Sequence, residues 1–522
     1  TGDNNVAVGY AAGGAVTTAL ENTFVGAFAG DALNTGGFNT ALGYATLSND
    51  QKGAKNVAVG HGALNVQQFT TATDSFNTAV GFAAGISVTT GTKNVLIGGL
   101  AGDALTNSEQ NVAVGYGALS SETLGINSTA IGNNALENQN LATAADSFNV
   151  AVGVNAGNAV TTGVNNTLLG ALAGDALTDA DHNTAVGRGS LGADTLGSRA
   201  VAVGFGALSS QNFTTATDNY NVAVGFNAGV LVSTGVQNTL MGGTTGDALT
   251  TGSENTALGI SALTRDTAGS KTVAVGGTAL AYQNFTTATD SYNTAVGYAA
   301  GLSVSTGSTN TFVGGLAGDS VTSGGGNVYI GFDCAAFQNN ATEGDDNVYV
   351  GAFARPSAAT VDSEIAIGRY VLGQGTLTAT LGINGNGATI SIDGSDTSWA
   401  AHSDERLKDN ITTSTAGLSF INDLRPVTYT WKAKNEISED FTNYYDAESS
   451  DPVNGTAGKT YHGFVAQEVK ATIDAHSEIA NGNNLWAERV DDIQQLAPGN
   501  LVPMLVKAIQ ELSAEIETLK GG

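Results

Sequence analysis

The chain has 522 residues, a length typical of three or four ordinary domains, but its composition is unusual for such domains. Glycine fills 71 positions and only 13% of the residues are charged, about twice and about half the usual shares. A hydrophobic content of 41% argues against disorder, and collagen is excluded because glycine does not recur every third residue. A formal net charge of −28 argues against binding to nucleic acid or to anionic membranes.

Cys334 is the one cysteine in the sequence, so an internal disulfide or a metal site built on thiolates is excluded. His61 and His182 stand singly and indicate no metal site, and no motif indicates a cofactor. No stretch approaches eighteen uninterrupted apolar residues, so we expect no membrane span. Because the chain begins with Thr1 and shows no signal peptide, we expect a fragment or processed product that lacks its N-terminal segment.

A strict internal repeat fills the first two thirds of the sequence. Its motif is Asn, then Val or Thr, a variable residue, an aliphatic residue and Gly, as in residues 5–9. The glycine recurs at intervals of 17, 17, 17 and 21 residues, so four units make a block of 72. The block step is kept without error at Gly9, Gly81, Gly153, Gly225 and Gly297.

Each unit begins with a short β-branched run and turns at its glycine, which predicts a strand followed by a corner. An aliphatic residue precedes the glycine throughout, and a second apolar position follows it, as at Leu47 and Leu64. A single unit cannot bury these residues, but stacked units bury a continuous core. We therefore predict a mostly β protein in which residues 1–355 form a β-solenoid or β-roll with one unit per coil.

Two polar positions repeat with the units. The opening asparagine is most simply a structural ladder that satisfies turn backbone groups, with a ligand-facing role as the alternative. A Gly-Asp pair recurs one block apart and invites a calcium interpretation, because that ion prefers clustered carboxylates. Copies four coils apart lie roughly 19 Å from each other, so turn capping is the better interpretation. The aspartates are Asp31, Asp103, Asp175, Asp247 and Asp319.

The fourth unit of each block carries four extra residues in a loop such as residues 69–74. Apart from these extra residues, the units resemble the head repeats of trimeric autotransporter adhesins, which read Asn-Thr/Ser-x-Val/Ile-Gly. The resemblance covers about residues 4–355 and implies a left-handed β-roll that assembles as a trimer. Units of 17 and 21 residues are longer than the usual adhesin repeat.

The composition changes beyond residue 355, where all five prolines and all three tryptophans lie. Residues 356–402 are predicted to form a β-rich neck that ends the rod. Four motifs then follow in an order that closely resembles the intramolecular chaperone domain of endosialidases, tail fibres and related proteins. These motifs occupy residues 403–411, 424–431, 462–469 and 501–512, within a predicted domain at 403–522.

The chaperone resemblance implies a small α+β domain that trimerises, guides folding of the preceding fibre and then cuts itself away. It implies Ser403 as the nucleophile, Lys408 as the base and the bond between His402 and Ser403 as the bond that is cut. A lysine serves as a base only if burial or nearby positive charge lowers its pKa, and Arg406 is a candidate for that charge. Without the resemblance, these residues favour a surface helix that begins with Ser403 as its N-cap. Any enzymatic activity is then a single self-cleavage by a Ser-Lys pair, without turnover of an external substrate.

The final segment has apolar residues at a 4-3-4-3 spacing, which is typical of a coiled coil. The pattern covers about two heptads, so we interpret it as one strand of a trimeric coiled coil supported by the globular domain. The alternative is an amphipathic helix that packs this stripe on its own domain. The stripe, called the seam below, consists of Leu505, Ile509, Leu512, Ile516 and Leu519.

Together these features predict a homotrimeric phage tail fibre that attaches a virion to a host surface glycan or protein receptor. The missing N-terminal segment would then join a virion protein. A cellular trimeric adhesin on the extracellular surface, with a cell anchor in that segment, is the alternative. A glycan-degrading tailspike is less favoured, because no repeat-breaking acidic pair resembles a glycosidase site. Tyr370 and Trp399, near the distal neck, are candidate receptor contacts.

Overall fold

Short strands that pair in parallel with their counterparts in the next unit build most of this protein. The computed structural model describes residues 2–336, 341–395, 399–401, 403–441, 444–454, 456–479, 484–488 and 493–521. Within these residues Val6 pairs with Thr23, and the later units keep the same register. The predicted β-solenoid with one unit per coil is confirmed. The chain divides into two units, Thr1–His402 and Ser403–Gly522.

The first unit contains thirty described strands, of which 24 form one sheet. In chain order they are β1 (Val6–Val8), β2 (Thr23–Val25), β3 (Thr40–Leu42), β4 (Gly53–Ala54), β5 (Val57–Val59), β6 (Thr73–Asp74), β7 (Thr78–Val80), β8 (Val95–Ile97), β9 (Val112–Val114), β10 (Thr129–Ile131), β11 (Val150–Val152), β12 (Thr167–Leu169), β13 (Thr184–Val186), β14 (Gly197–Ser198), β15 (Val201–Val203), β16 (Thr217–Asp218), β17 (Val222–Val224), β18 (Thr239–Met241), β19 (Thr256–Leu258), β20 (Gly269–Ser270), β21 (Val273–Val275), β22 (Thr289–Asp290), β23 (Thr294–Val296), β24 (Thr311–Val313), β25 (Val328–Ile330), β26 (Val348–Val350), β27 (Ile365–Ile367), β28 (Thr378–Ile383), β29 (Asn386–Ser391) and β30 (Ala400–Ala401).

The parallel ladder continues past residue 355, where we placed the end of the solenoid. β27 pairs in parallel with β26, and β28 pairs in parallel with β27. β28 then turns back on β29 in an antiparallel hairpin, and β30 pairs antiparallel with β29. The segment predicted as a β-rich neck therefore contains two more ladder strands, β27 and β28, and the second of these also forms the hairpin with β29.

Alternation along each strand decides which residues form the core, and it corrects one expectation. The central residue of each three-residue ladder strand is buried, as for Phe24 and Leu96, except in β1 at the end of the ladder. The aliphatic residue before the glycine, which we expected in the core, stays partly or largely exposed. The reason is that neighbouring residues of a strand point to opposite faces. The second apolar position is buried as predicted, for example at Leu47 and Leu64.

The opening asparagines form the predicted structural ladder, which is confirmed. The backbone N–H and the Nδ2 of Asn22 donate to Oδ1 of Asn5, at 2.9 and 3.0 Å. The same Nδ2 also donates to the carbonyl of Gly36 at 3.1 Å. At the far end of the ladder Glu364 takes this position, fully buried, and accepts from Tyr349 Oη at 2.8 Å and from backbone N–H groups. Rungs of this kind satisfy buried polar groups of the next coil, while Ser128, Ala200 and Thr272 replace asparagine in three coils.

The four extra residues of the fourth unit are held by a buried carboxylate. Oδ1 of Asp50 accepts from the N–H groups of Gly53 and Phe69, at 3.0 and 3.1 Å, while Oδ2 accepts from Gln67 at 2.6 Å. Phe69 is itself buried. The loop is thus anchored by its aromatic residue, while its threonines Thr70 and Thr71 are exposed. The equivalent carboxylate–glutamine pairs are Glu122 with Gln139, Asp194 with Gln211 and Asp266 with Gln283.

The corner glycines are required by close contact between coils. Gly225 has a φ of +143°, and a Cβ added there would lie 2.3 Å from the carbonyl oxygen of Gly242 in the next coil. We therefore expect Gly225→Ala to destabilise the solenoid by at least about 1–3 kcal/mol, measured as a lower thermal unfolding midpoint. Gly243→Ala is the matched control, because a Cβ at Gly243 meets nothing within 4 Å. An unchanged midpoint for Gly225→Ala would contradict the contact argument.

The second unit is a small α+β domain, as predicted. Its core includes Phe420, Val469, Ile473, Leu485 and Leu501. The described elements are the 3-10 helices η1 (Glu405–Leu407), η2 (Lys434–Glu436) and η3 (Pro498–Leu501), the helices α1 (Leu418–Asp423), α2 (Ala466–Ala475) and α3 (Val502–Gly521), and two antiparallel hairpins made by β31 (Val427–Tyr429) with β32 (Tyr461–Gly463) and by β33 (Trp486–Glu488) with β34 (Gln494–Leu496).

Candidate functional site

The short helix η1 brings the predicted nucleophile and base together. Ser403 and Lys408 flank the helix, and Nζ of Lys408 donates a hydrogen bond to Oγ of Ser403 at 2.7 Å. A single helical turn therefore closes the five-residue separation between the two side chains. A hydroxyl beside an amine is the arrangement that base-assisted nucleophilic attack requires.

The alternative in which Ser403 is the helix N-cap is wrong. Asp404 is the N-cap of η1, and its side chain accepts from the backbone N–H of Arg406 at 2.8 Å. Serine and aspartate are both common N-cap residues, but the carboxylate of Asp404 also attracts the Arg406 guanidinium. Ser403 is consequently left to contact Lys408 rather than the start of the helix.

Arg406 does not supply the positive charge that we expected it to bring to the site. Its Nε and Nη2 donate to the two carboxylate oxygens of Asp404, at 3.0 and 2.6 Å. These hydrogen bonds, with a further contribution from the charge of Lys408, lower the pKa of Asp404. The guanidinium charge is therefore balanced by the carboxylate of Asp404.

The site is open to water in a single chain. All residues from 403 to 408 are exposed, and Leu407 and Ile411 expose 72% and 63% of their surface. A lysine becomes a base when burial disfavours its charged form, and the described part of this unit provides no such cover at Lys408.

The remaining predicted site residues lie in different settings. His402, on the other side of the predicted cleaved bond, lies outside the described residues. Tyr370 stacks on Phe353 with ring centroids 4.5 Å apart, and the Arg369 guanidinium lies 4.7 Å from its ring. Trp399 is about half exposed. Both aromatic residues belong to the first unit, and their receptor role stays a prediction.

Helix α3 packs on its own unit through a face that is not the seam. Ala508 is buried, Met504 contacts the core, and Oε2 of Glu511 accepts from the backbone N–H of Leu418 at 2.7 Å, where α1 begins. The seam residues Leu505, Ile509 and Leu512 each follow a residue of this packing face by one position, so the seam lies on a neighbouring face of the helix. All five seam residues are exposed, from 42% at Leu505 to 82% at Leu519. The helix therefore packs on its own domain, as in the alternative, but through residues other than the seam, and the coiled coil stays a prediction.

Two polar contacts that hold the domain together were missed in the sequence. Glu511 is one of them, and His476, just after α2, is the other. Nε2 of His476 lies 2.9 Å from Oδ2 of Asp423, and its Nδ1 lies 2.7 Å from Oε1 of Glu478. These carboxylates raise the pKa of His476. No repeat or motif marks His476, because its partner Asp423 is 53 residues away.

The His476 contacts predict a pH dependence. Because the pKa is raised in the folded state, the stability that they contribute is fully present below the ordinary value of 6.5 and is lost as the pH rises through the folded-state pKa. We expect urea unfolding of the second unit, followed by tryptophan fluorescence in the full chain, to occur at lower urea at pH 9 than at pH 6. His476→Gln should reduce this difference, whereas His462→Gln, at an exposed histidine of the same unit, should preserve it. An undiminished difference in His476→Gln would contradict the assignment.

Neither a metal-binding group nor a membrane-spanning helix occurs among the described residues. In that part of the chain no three His, Cys, Asp or Glu side chains are arranged to hold a metal ion. Burial raises the pKa of Asp31, Asp103, Asp175 and Asp319 in the Gly-Asp column. The helices of the described segments are also too short or too polar to cross a membrane.

Comparison with known families identifies the class of the second unit. Residues 403–477 match the family model of peptidase S74, described as the chaperone of endosialidase. The match begins at Ser403 and includes η1, α1 and α2. The second unit is therefore an endosialidase-type chaperone domain, and in this chain it follows a long β-solenoid. No curated protein and no solved structure matches the sequence.

Proposed function

We propose that this chain is a fibre protein whose chaperone domain joins three copies and then cuts itself from the solenoid. The observation that carries the proposal is the 2.7 Å contact between Lys408 Nζ and Ser403 Oγ, at the first residues of the segment that matches the chaperone family. The solenoid provides the fibre, and the domain provides assembly and a single cleavage in cis.

The cleavage chemistry requires only the chain and one water molecule. Ser403 Oγ attacks the carbonyl carbon of His402, a C–O bond forms, and the peptide C–N bond breaks. Neutral Lys408 takes the hydroxyl proton and passes it to the α-amine of Ser403 as that amine leaves. Water then hydrolyses the ester, which restores the hydroxyl and leaves a carboxylate on His402. The products are a shaft that ends at His402 and a domain that begins at Ser403.

Assembly is the step that would activate Lys408. In the single chain Lys408 is exposed to water, and a lysine needs burial to disfavour its charged form. Packing of a neighbouring copy over Leu407 and Ile411 would bury the pair and favour the neutral amine. Cleavage would then follow trimer formation rather than precede it.

The seam of α3 supports a trimer of identical chains. It places five aliphatic residues at heptad spacing on a helix face that the domain leaves exposed. A chaperone is useful here because the 72-residue blocks are nearly alike, so chains could pair one block out of register at little cost. A C-terminal clamp would fix the register before the coils of the shaft come together.

Host attachment is the role that we propose for the assembled fibre. A long repetitive shaft with a removable chaperone suits a phage tail fibre that links a virion to a surface glycan or protein. Tyr370 and Trp399 remain candidate receptor contacts: Trp399 is about half exposed, and Tyr370 is partly exposed and stacked on Phe353. A cellular adhesin would use the same shaft and chaperone, and finding the protein in purified virions rather than on cells would distinguish the two.

The test is the covalent and oligomeric state of the folded full chain. Mass spectrometry should find a fragment that begins at Ser403, and light scattering should give three copies for the shaft. A chain that remains intact under all folding conditions would refute self-cleavage and leave residues 403–522 as a permanent cap. A monomeric mass would refute the fibre proposal itself.

A further inference from the structure

One continuous face of the solenoid carries aliphatic and threonine side chains along its whole ladder. We call it the ladder face: the first and third residues of the three-residue strands from β1 to β27, which point away from the buried central residue. The described residues contain 21 such strands. The first position is Val or Thr in all but one of them, where it is Ile365, and the third position is Val, Ile, Leu or Met in every one.

Charge is absent from this face. No Asp, Glu, Lys or Arg occupies either position in the 21 described strands, although the chain carries a formal net charge of −28. Third-position side chains such as Leu42 and Met241 are 45% and 44% exposed in the single chain. Solvated faces normally carry the charged residues of a protein, so this distribution indicates a face that is not exposed to water in the assembled protein.

Exposed aromatic residues follow the strands of this face at many corners of the coils. They occupy the position directly after the corner glycine, which is filled by Arg188 and Arg369 in two other coils. Neighbouring rings contact one another, as for Phe205 and Phe226, whose centroids are 5.6 Å apart. The exposed members are Tyr10, Tyr44, Phe82, Tyr116, Phe205, Phe226, Tyr298 and Phe332.

The size of the face exceeds what a free surface usually carries. At roughly 4.8 Å per coil the ladder is on the order of 100 Å long, and residues two apart on a strand are separated by about 7 Å. These dimensions give on the order of 700 Å² before the aromatic residues are counted. The largest apolar patches on soluble monomers are about 300–600 Å², and larger ones mark interaction sites.

We propose that the ladder face is the surface through which the shafts of three copies pack against one another. The inference rests on the proposed trimer and assigns its shaft interface. A second copy is the partner that fits, because it offers a face of the same length, the same coil spacing and the same lack of charge. Contacts between such faces bury aliphatic and threonine side chains and place no charge of the ladder face in the interface.

Thiol protection in the full chain tests this assignment. The background variant is Cys334→Ser, which removes the one native cysteine. Met241→Cys places a thiol on the ladder face, and Thr215→Cys places one on an exposed loop threonine of the same block. We expect a maleimide to label Met241→Cys at least 100-fold more slowly than Thr215→Cys in the native assembly, and both at similar rates in denaturant.

The outcomes separate this inference from the proposed function. Equal native labelling rates in a protein that light scattering finds trimeric would overturn the ladder-face interface while leaving the trimeric chaperone proposal in place. Equal rates in a monomeric protein would overturn both. As a second measurement, Met241→Glu should dissociate the cleaved shaft, whereas Thr215→Glu should leave it trimeric. A stable Met241→Glu shaft trimer would contradict the inference without any labelling.

Discussion

Ser403→Ala is expected to leave the 522-residue chain uncut after folding, because the variant lacks the oxygen that attacks the preceding carbonyl. Loss of a nucleophile should slow cleavage by about 10³-fold or more, so no fragment beginning at Ser403 should accumulate. Trimer formation should persist, because the side chain is small, exposed and remote in sequence from the seam. Mass spectrometry of the folded protein and light scattering measure the two properties separately.

Substitutions at Lys408 test the role of the base. Lys408→Ala removes the amine and should also block cleavage. Lys408→Arg keeps a positive charge that can donate to Ser403, but a guanidinium does not lose its proton at neutral pH, so this variant should remain uncut as well. Lys459→Ala, at another exposed lysine of the unit, should cleave like the wild type. Cleavage that persists in Ser403→Ala would reveal a contaminating protease and invalidate the assignment.

The repetitive part of the fold was predictable because each coil obeys the same local rules. A β-branched run and a glycine at constant spacing determine a strand and a corner, and the unit length determines the pairing register. The face of each strand was not assigned correctly, since both the central and the pre-glycine residues of a unit such as β12, Leu168 and Leu169, are aliphatic. Which of them is inside depends on the corner, where the glycine backbone of one coil contacts the next.

The chaperone site was predictable only as far as its motifs reach. The chaperone resemblance paired Ser403 with Lys408, which are in contact in the structure, whereas their five-residue spacing alone favoured a surface helix. The competition between neighbouring side chains could not be predicted. Asp404 caps η1 and also binds Arg406, and the sequence spacing does not reveal whether Ser403 or Asp404 is the cap. Contacts that join distant segments, such as Glu511 with the start of α1, 93 residues away, leave no local signal at all.

The largest expected effect on assembly is that of Ile509→Asp at the centre of the seam. Ile509 is 65% exposed in the single chain, so the substitution should leave the domain folded, but a trimeric coiled coil would bring three carboxylates together in its core. An unpaired buried charge costs about 3–5 kcal/mol, and each 1.4 kcal/mol is a factor of ten. The association constant should therefore fall by at least about 100-fold, measured by sedimentation or light scattering across a dilution series.

Gln510→Asp is the matched control, because it adds the same charge at the next residue, which is exposed and lies outside both the seam and the face that packs on the domain. It should assemble and cleave like the wild type. If assembly activates the Ser-Lys pair, Ile509→Asp should also remain uncut at low protein concentration, although Ser403 and Lys408 are intact, and cleavage should return as the concentration is raised. Efficient cleavage of monomeric Ile509→Asp would show that cleavage does not depend on trimer assembly. A single chain would then supply the burial that Lys408 needs.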